Sequence, residues 1–258
     1  GLSKRFGSVT ANNDISLEIL PGEIHCFLGE NGAGKSTLSE CLYGFMTPDC
    51  GDLYFEGKKV EIKSPLDAIR LGIGMVHQHF ILVKPLTVIE NIIVGTDAAH
   101  FFLNLAEAKK KLEQLCEDYE LELDLSAKIW QLSVAEQQWV EILKALFGGV
   151  KLLILDEPTA VLTPQESDRL FAILRKMQKD GLSIIFITHK LNEVKEVSNR
   201  VTVLRHGEKV QTVETSSVTK AELARMMVGR DVVFRVEKPH VKIGDVILQI
   251  NDLNAKND

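Results

Sequence analysis

One short segment has the residue types and spacing of a loop that binds phosphate. Residues 29–36 read GENGAGKS, which fits G-x-x-x-x-G-K-[ST], and they lie between a predicted strand and a predicted helix. The glycines let backbone N–H groups and the helix N-terminus surround a phosphate. Lys35 would reach the β- and γ-phosphates of a nucleotide, and the Ser36 hydroxyl would ligate Mg²⁺. We therefore expect nucleotide contacts from Gly29, Glu30, Asn31, Gly32, Ala33, Gly34, Lys35, Ser36 and Thr37.

An acidic pair ends an apolar stretch farther along the chain. Residues 152–157 read LLILDE, a predicted strand followed by Asp156 and Glu157. Alone, such a pair is more often a solvated strand end or a helix cap. Downstream of a phosphate loop in an α/β pattern, a catalytic role is favoured. Asp156 would then hold the Mg²⁺ hydration shell, and Glu157 would orient or deprotonate an attacking water.

Two further polar residues follow predicted strands. His189 comes after residues 183–188, and Gln78 comes after residues 74–76. A lone histidine at a strand end is more often structural or solvent-facing, and Gln78 by itself is compatible with an ordinary surface loop. In open α/β folds, however, ligands bind at the edge where the parallel strands end. This placement predicts that His189 contacts a γ-phosphate.

The elements that must position these residues alternate between strand and helix, which indicates an α/β protein with a largely parallel sheet. The apolar runs LLIL and IIFI suit central strands buried on both faces. Residues 163–166, TPQE, predict a capping box with proline at the first helical position. The predicted strands are residues 15–19, 24–28, 74–76, 151–156, 183–188 and 201–205, with a hairpin at 52–60 turning near Gly57.

The chain divides into regions of different character. Residues 87–147 show helical stretches and no convincing strand, and we interpret them as a helical subdomain inserted into an α/β core of about residues 1–86 and 148–235. Residues 236–258 read as a linker followed by one further strand, Val246–Ile250, with no obvious partner.

The charge, the cysteine pattern and the length of the apolar runs argue against several classes of function. The net charge of −6 argues against a nucleic-acid partner. The four cysteines form no CxxC pair or metal-ligand pattern, which fits a reducing cytoplasm. No run approaches the roughly 18 apolar residues that cross a bilayer, and we see no signal peptide. Any membrane association is therefore expected through a partner.

The ordered motifs resemble the ATP-binding cassettes of ABC transporters. The set comprises GENGAGKST, Gln78, LSVAEQQ at residues 132–138, LLILDEPTA and His189, which look like the Walker A, Q-loop, signature, Walker B and H-loop elements. The resemblance covers about residues 1–230. It implies a P-loop NTPase core with a mixed, mainly parallel sheet, an antiparallel β subdomain and a helical subdomain. It also implies ATP and Mg²⁺ as cofactors.

The resemblance assigns roles by position. Phe6 would stack on adenine, with an ordinary core phenylalanine as the alternative. Such stacking is sequence-tolerant, so GTP is an open alternative to ATP. Gln78 would contact Mg²⁺ or the attacking water and sense a membrane subunit. The implied catalytic residues are Lys35, Gln78, Glu157 and His189, and the implied Mg²⁺ residues are Ser36, Gln78 and Asp156. The signature residues, which would cover ATP held by a second cassette, are Leu132, Ser133, Val134, Ala135, Glu136 and Gln137.

A narrower resemblance points to importers of simple sugars and nucleosides, carried by residues 72–92 with LSVAEQQWVEILKAL and DEPTAVLTPQE. In that group two cassettes are fused, so residues 236–258 would open a truncated second cassette. The implied partners are that C-terminal cassette, transmembrane permease subunits and, indirectly, an extracytoplasmic solute-binding protein. His79 and Phe80 would contact the permease at the cytoplasmic face of the membrane. The solute, and whether the fragment forms a homodimer, remain open.

Other functions remain as alternatives. One is a soluble ABC ATPase in translation or DNA repair, against which the acidic balance counts. Another is a regulatory module that binds nucleotide without hydrolysing it. Glu157 argues against that module, because binding alone does not require this carboxylate.

Three positions depart from the family pattern. Ala135 stands where the second signature glycine is expected, and its methyl group would crowd the approach of backbone to phosphate. Trp139 replaces a common arginine. Thr163 replaces the D-loop aspartate, keeping the helix cap but losing the charge. We hypothesise that the composite site using this signature is weakened, whereas the chain's own Walker site is intact.

Overall fold

A six-stranded sheet organises the computed structural model, which describes residues 1–94, 105–230, 244, 247–249 and 251–254. Its strand order is β10-β9-β3-β8-β7-β6, and all neighbours are parallel except β10 and β9. The sheet strands are β3 (Ile24–Leu28), β6 (Ile73–Val76), β7 (Leu152–Asp156), β8 (Ser183–Thr188), β9 (Arg200–Arg205) and β10 (Glu208–Glu214). Two antiparallel hairpins accompany it: β1 (Leu2–Phe6) with β2 (Val9–Ile15), and β4 (Leu53–Phe55) with β5 (Lys58–Val60).

Helices pack around this sheet and extend beyond it. They are α1 (Lys35–Tyr43), α2 (Pro65–Leu71), α3 (Val88–Val94), α4 (Leu105–Asp118), α5 (Val134–Phe147), α6 (Pro164–Lys179), α7 (Leu191–Val197) and α8 (Lys220–Val228). Short 3₁₀ turns cover Ile129–Gln131 and Thr215–Ser217. Within the described part of residues 87–147 there are helices and one isolated β-bridge, as the sequence predicts. The prediction for residues 95–104 lies outside the described residues.

The central strands are buried on both faces, because successive side chains of a strand enter two different apolar clusters. In β8, Ile184 and Phe186 belong to one cluster, whereas Ile185 and Ile187 belong to the other. All four are fully buried. Phe186 also meets Phe171 of α6 edge-to-face, with ring centroids 5.9 Å apart. The predicted α/β class with a mixed, mainly parallel sheet is therefore confirmed.

Two local predictions are wrong. The strand expected over residues 15–19 ends at Ile15, because β1 begins at Leu2, which pairs with Ile15, and offers the following residues no partner. Leu17 and Ile19 instead pack against an apolar cluster, which explains their alternation without a strand. The expected strand Val246–Ile250 is absent from its described residues 247–249, which are exposed. A strand needs a hydrogen-bonding neighbour, and the described part of the chain offers none to these residues.

The hairpin and capping predictions are confirmed. Glu56 and Gly57 join β4 to β5 with φ of 50° and 74°, the left-handed backbone of a tight two-residue turn. Thr163 caps α6: its side chain accepts a hydrogen bond from the Glu166 N–H, and the Glu166 side chain accepts one from the Thr163 N–H. Among the described residues, no helix is both long and apolar enough to span a membrane.

Two buried side chains fasten the segment after β6 to the helical region. The Ile81 N–H donates to Glu141 Oε1 of α5 at 2.7 Å, and the Val83 N–H donates to Asn91 Oδ1 of α3 at 2.7 Å. Glu141 and Asn91 are 8% and 4% exposed. Since these bonds satisfy backbone groups of an irregular loop, they fix its path. The loop is therefore joined to both α3 and α5.

Because the Glu141 carboxylate is buried, the free energy of unfolding should depend on pH. Burial raises its pKa, against smaller opposite effects of the Ile81 N–H and Lys144. Since the folded-state pKa lies above the unfolded-state value, ionisation opposes folding as pH rises through these values. We expect Glu141→Gln, which keeps an acceptor oxygen, to raise the free energy of unfolding at neutral pH and to change it little below about pH 4. Urea denaturation at both pH values measures this.

The matched control is Glu113→Gln on α4. Glu113 is an exposed member of an i,i+4 pair with Lys109, so its substitution should change stability little at either pH. Equal stability of wild type and Glu141→Gln at neutral pH would contradict a destabilising buried charge.

Candidate nucleotide site

The phosphate loop joins β3 to α1 and has backbone geometry that only glycine satisfies. Gly34, the N-cap of α1, has a φ of 98°. A Cβ added there would lie 2.3 Å from the Ala11 carbonyl oxygen, and one added at Gly29 would lie 2.5 Å from the Leu204 carbonyl oxygen. The loop is therefore pressed against neighbouring backbone, and its N–H groups line a concave turn at a helix N-terminus.

Lys35 lies inside this loop. Its ammonium donates to the carbonyl oxygens of Gly29 at 2.9 Å and Glu30 at 3.0 Å, and the residue is 5% exposed. Burial lowers the pKa of Lys35, while the charges of Glu157 and Asp156 act in the opposite direction. The cation is thus held beside two carboxylates, where a phosphate can replace carbonyl oxygens as its partner.

A residue that the sequence analysis missed supports the loop. The Asn12 side-chain amide on β2 donates to the Gly34 carbonyl oxygen at 3.0 Å, and Asn12 is fully buried. This bond ties the β1–β2 hairpin to the start of α1. No sequence signal marks Asn12, because a single polar residue in a strand normally faces solvent.

Asp156 and Ser36 provide the oxygen ligands that suit Mg²⁺. Asp156 is 8% exposed, and its buried Oδ1 has no hydrogen-bond partner. Burial raises the pKa of Asp156; a hydrogen bond with the Ser36 side chain and the charge of Lys35 oppose this, and Glu157 adds to it. An unpartnered carboxylate oxygen next to a hydroxyl is a costly arrangement that a hard cation satisfies. These residues therefore fit Mg²⁺.

Glu157 and His189 meet at the ends of neighbouring strands. In the β7–β8 register Asp156 pairs with Ile187, which brings the two following segments together. His189 Nδ1 lies 2.9 Å from Glu157 Oε1, and the Glu157 N–H donates to the Ile187 carbonyl oxygen at 3.0 Å. Glu157 has a φ of 46°, a left-handed conformation that costs roughly 1–2 kcal/mol in a non-glycine residue. Strain of this kind clusters at functional sites.

Gln78 and Phe6 are both exposed. Gln78 follows β6 and forms no hydrogen bond with Asp156 or Glu157 within the described chain. Phe6 ends β1, is 46% exposed and has Lys4 Nζ 5.7 Å from its ring centroid. Its exposure contradicts the core alternative and leaves a ring face free to stack.

The signature segment lies at the start of α5. The Ser133 hydroxyl accepts from the Glu136 N–H at 3.2 Å, Glu136 Oε2 accepts from the Ser133 N–H at 2.7 Å, and the Gln137 side chain donates to the Leu132 carbonyl oxygen. Ser133 and Val134 are exposed. Among the described residues no hydrogen bond joins this segment to the phosphate loop. The exposure of Ser133 and Val134 thus leaves the N-terminus of α5 open to solvent.

Comparison with known proteins agrees with this geometry. The sequence model of the family described as ABC transporter matches residues 12–160, more than half of the 258 residues. The chain belongs to the ABC transporter family. A solved structure of the ADP conformation of an ATP-binding cassette of an ABC transporter matches with a TM-score of 0.76 and 25% identity, covering 89% of this chain and 96% of that one. The fold is therefore that of an ABC cassette, as the motifs predict.

Two similar curated proteins are both import ATP-binding proteins, a narrower group than the whole family. The nucleoside import ATP-binding protein NupA of Lactococcus lactis subsp. cremoris is 50% identical over 99% of this chain and 51% of its own length. The glucose import ATP-binding protein TsgD13 of Haloferax volcanii is 47% identical over 99% of this chain and 52% of its own length. The chain thus spans about half the length of these relatives.

The three departures from the family pattern have different structural settings. Ala135 lies in the first turn of α5 and is half-buried. Trp139 is 7% exposed and belongs to the apolar core, so it acts in packing. Thr163 serves as the cap of α6. Only Ala135 lies among the residues whose backbone would face a phosphate.

Two glycine substitutions, one inside the phosphate loop and one outside it, test the steric constraint on the loop. Gly34→Ala and Gly149→Ala both place a side chain at positive φ, but Gly149 has open space whereas Gly34 meets the Ala11 carbonyl. We expect Gly34→Ala to weaken binding of a fluorescent ATP analogue by at least about 10-fold, or ~1.4 kcal/mol. Gly149→Ala should keep wild-type affinity, although both lose some stability in urea. Wild-type affinity in Gly34→Ala would disprove the steric argument.

Proposed function

We propose that this chain binds and hydrolyses ATP to power an ABC importer. The observation that carries this proposal is the Glu157–His189 contact beside the unpartnered Asp156 oxygen, at the sheet edge that also bears the phosphate loop. Nucleotide binding alone requires the loop but not a carboxylate–histidine pair. That pair favours hydrolysis over a purely regulatory binding module.

Each residue has a defined part in this chemistry. The loop N–H groups and Lys35 bind the β- and γ-phosphates, and Phe6 stacks on the base. Glu157 orients the attacking water and accepts its proton, while His189 holds Glu157 and reaches the γ-phosphate. Ser36, Gln78 and Asp156 would hold Mg²⁺, which would supply positive charge to offset the negative charge of the phosphates.

The outward-facing signature supports action on a second cassette. Its helix N-terminus and the Ser133 hydroxyl suit a γ-phosphate held by a partner in head-to-tail arrangement. Curated relatives are about twice this length, which supports a partner cassette in the C-terminal half of the same polypeptide, opened by residues 236–258. ATP-driven closure of the two cassettes would then shift the population of a coupled membrane pore.

Relatives named for nucleoside and glucose import support simple sugars or nucleosides as the transported class. Permease subunits would bind the surface around the Q-loop at the cytoplasmic face of the membrane, and a solute-binding protein would act through them. Exposed apolar side chains support this contact: Phe45, Ile81 and Val83 are 50%, 59% and 50% exposed. His79, exposed, and Phe80, half-buried, belong to the same loop.

The proposal predicts that Glu157 is required for hydrolysis but not for binding. In Mg²⁺-dependent phosphate release by the purified chain, specific activity should rise with protein concentration, because two cassettes form each site. Glu157→Gln should lower it by about 10²–10⁴-fold and retain ATP binding. Lys35→Ala, as the contrasting variant, should lose ATP binding. Hydrolysis by Glu157→Gln at the wild-type rate would exclude the catalytic assignment.

The signature departure predicts a gain of function. In the transporter assembled with its second cassette, Ala135→Gly should raise turnover roughly 2- to 10-fold, because removal of the methyl group lets the helix N-terminus approach phosphate. Ala145→Gly on the same helix carries a similar helix-propensity cost without facing the phosphate, and should not raise turnover. If Ala135→Gly leaves turnover unchanged, crowding at this position is not limiting.

A further inference from the structure

We propose that Glu193 of α7 is a positioning residue that holds the segments carrying Glu157 and His189 at a fixed separation. The inference rests on the proposed hydrolysis of ATP. Glu193 lies outside the motifs of the sequence analysis. It is 8% exposed and lies behind the strand edge that bears the acidic pair.

Each carboxylate oxygen of Glu193 binds a different catalytic segment. Thr159 Oγ1, two residues after Glu157, donates to Glu193 Oε1 at 2.5 Å. Thr188 Oγ1, immediately before His189, donates to Glu193 Oε2 at 2.6 Å. Thr159 and Thr188 are 3% and 2% exposed. One side chain therefore bridges the chain after β7 and the end of β8.

Lys190 makes the buried carboxylate tolerable and adds to the same network. Its ammonium lies 3.0 Å from Glu193 Oε1 and also donates to the Thr159 carbonyl oxygen and hydroxyl at 3.1 and 3.2 Å. The Lys190 N–H donates to the Thr188 hydroxyl at 3.0 Å. A buried carboxylate held by two hydroxyl groups and an ammonium has little freedom to move.

The backbone of Glu157 explains why such a brace is needed. Before Glu157 the chain is fixed by the β7–β8 ladder, but Glu157 itself has left-handed φ. Residues in strained conformations persist only where the surroundings hold them on both sides. Thr159, bound to Glu193 and Lys190, supplies the hold on the C-terminal side. The 2.9 Å contact between Glu157 and His189 thus depends on both strand ends being tied to one carboxylate.

The test uses an isosteric pair of substitutions in the transporter assembled with its second cassette. Thr159→Val keeps the shape and removes the hydroxyl that binds Glu193, whereas Thr159→Ser keeps the hydroxyl. We expect Thr159→Val and Glu193→Gln to lower kcat by on the order of 10-fold or more, because misplaced catalytic groups lose rate. KM for ATP should change less than about twofold, since the phosphate loop is untouched. Thr159→Ser should recover most of the rate.

A spectroscopic measurement separates this inference from the proposed function. In the intact chain, the ring ¹⁵N resonances of His189 report its hydrogen bond to Glu157 whether or not ATP is hydrolysed. We expect Thr159→Val to move them toward the values of Glu157→Ala, in which that bond cannot form, and Thr159→Ser to leave them near wild type. Absence of hydrolysis by wild type would refute the proposed function alone.

Two results would overturn the positioning role. One is identical kcat and identical His189 resonances in Thr159→Val and Thr159→Ser. The other is a loss of ATP affinity that accounts for the whole loss of rate, since a general loss of structure would lower binding and turnover together.

Discussion

Parallel pairing of β3, β8 and β7 is the constraint on which the rest of the structure depends. Leu28 pairs with Thr188, and Asp156 pairs with Ile187, so three strands end at nearly the same level. Parallel strands place all their carboxyl ends at one edge, so the polar loops that follow begin close together. The phosphate loop, the acidic pair and His189 share that edge because both sheet faces are packed, and a slip in register would move every side chain into the opposite apolar cluster.

Several polar and charged side chains are buried at the same sheet edge. Lys35, Asp156, Thr188 and Glu193 are each less than about a tenth exposed, and burying such groups is unfavourable unless they are paired. Lys35 and Glu193 have several partners, whereas one oxygen of Asp156 has none. The chain therefore retains an unmet coordination demand at the position where a cation would bind.

The sequence predicted elements and motifs better than it predicted their supports. The phosphate loop and the carboxylates were predictable because their chemistry requires contiguous residues. Asn12, Glu141 and Glu193 were not, since each is a single polar residue whose partner lies in another element, and in a strand or helix it looks like a solvent-facing position. The wrong strand over residues 15–19 has a related cause. Alternation there reports burial of Leu17 and Ile19, but a strand also needs a neighbour, which periodicity does not reveal.

The hydrogen bond between Ile81 and Glu141 links the loop after β6 to helix α5. Glu141 is seven residues after Val134, the first residue of α5, which corresponds to about 10 Å along the helix axis. A helix of this length is stiff, and the hydrogen bond from Ile81 attaches the exposed loop near its middle. A contact at Ile81 would therefore reach the Ser133 end of α5 through one hydrogen bond and about two turns of helix.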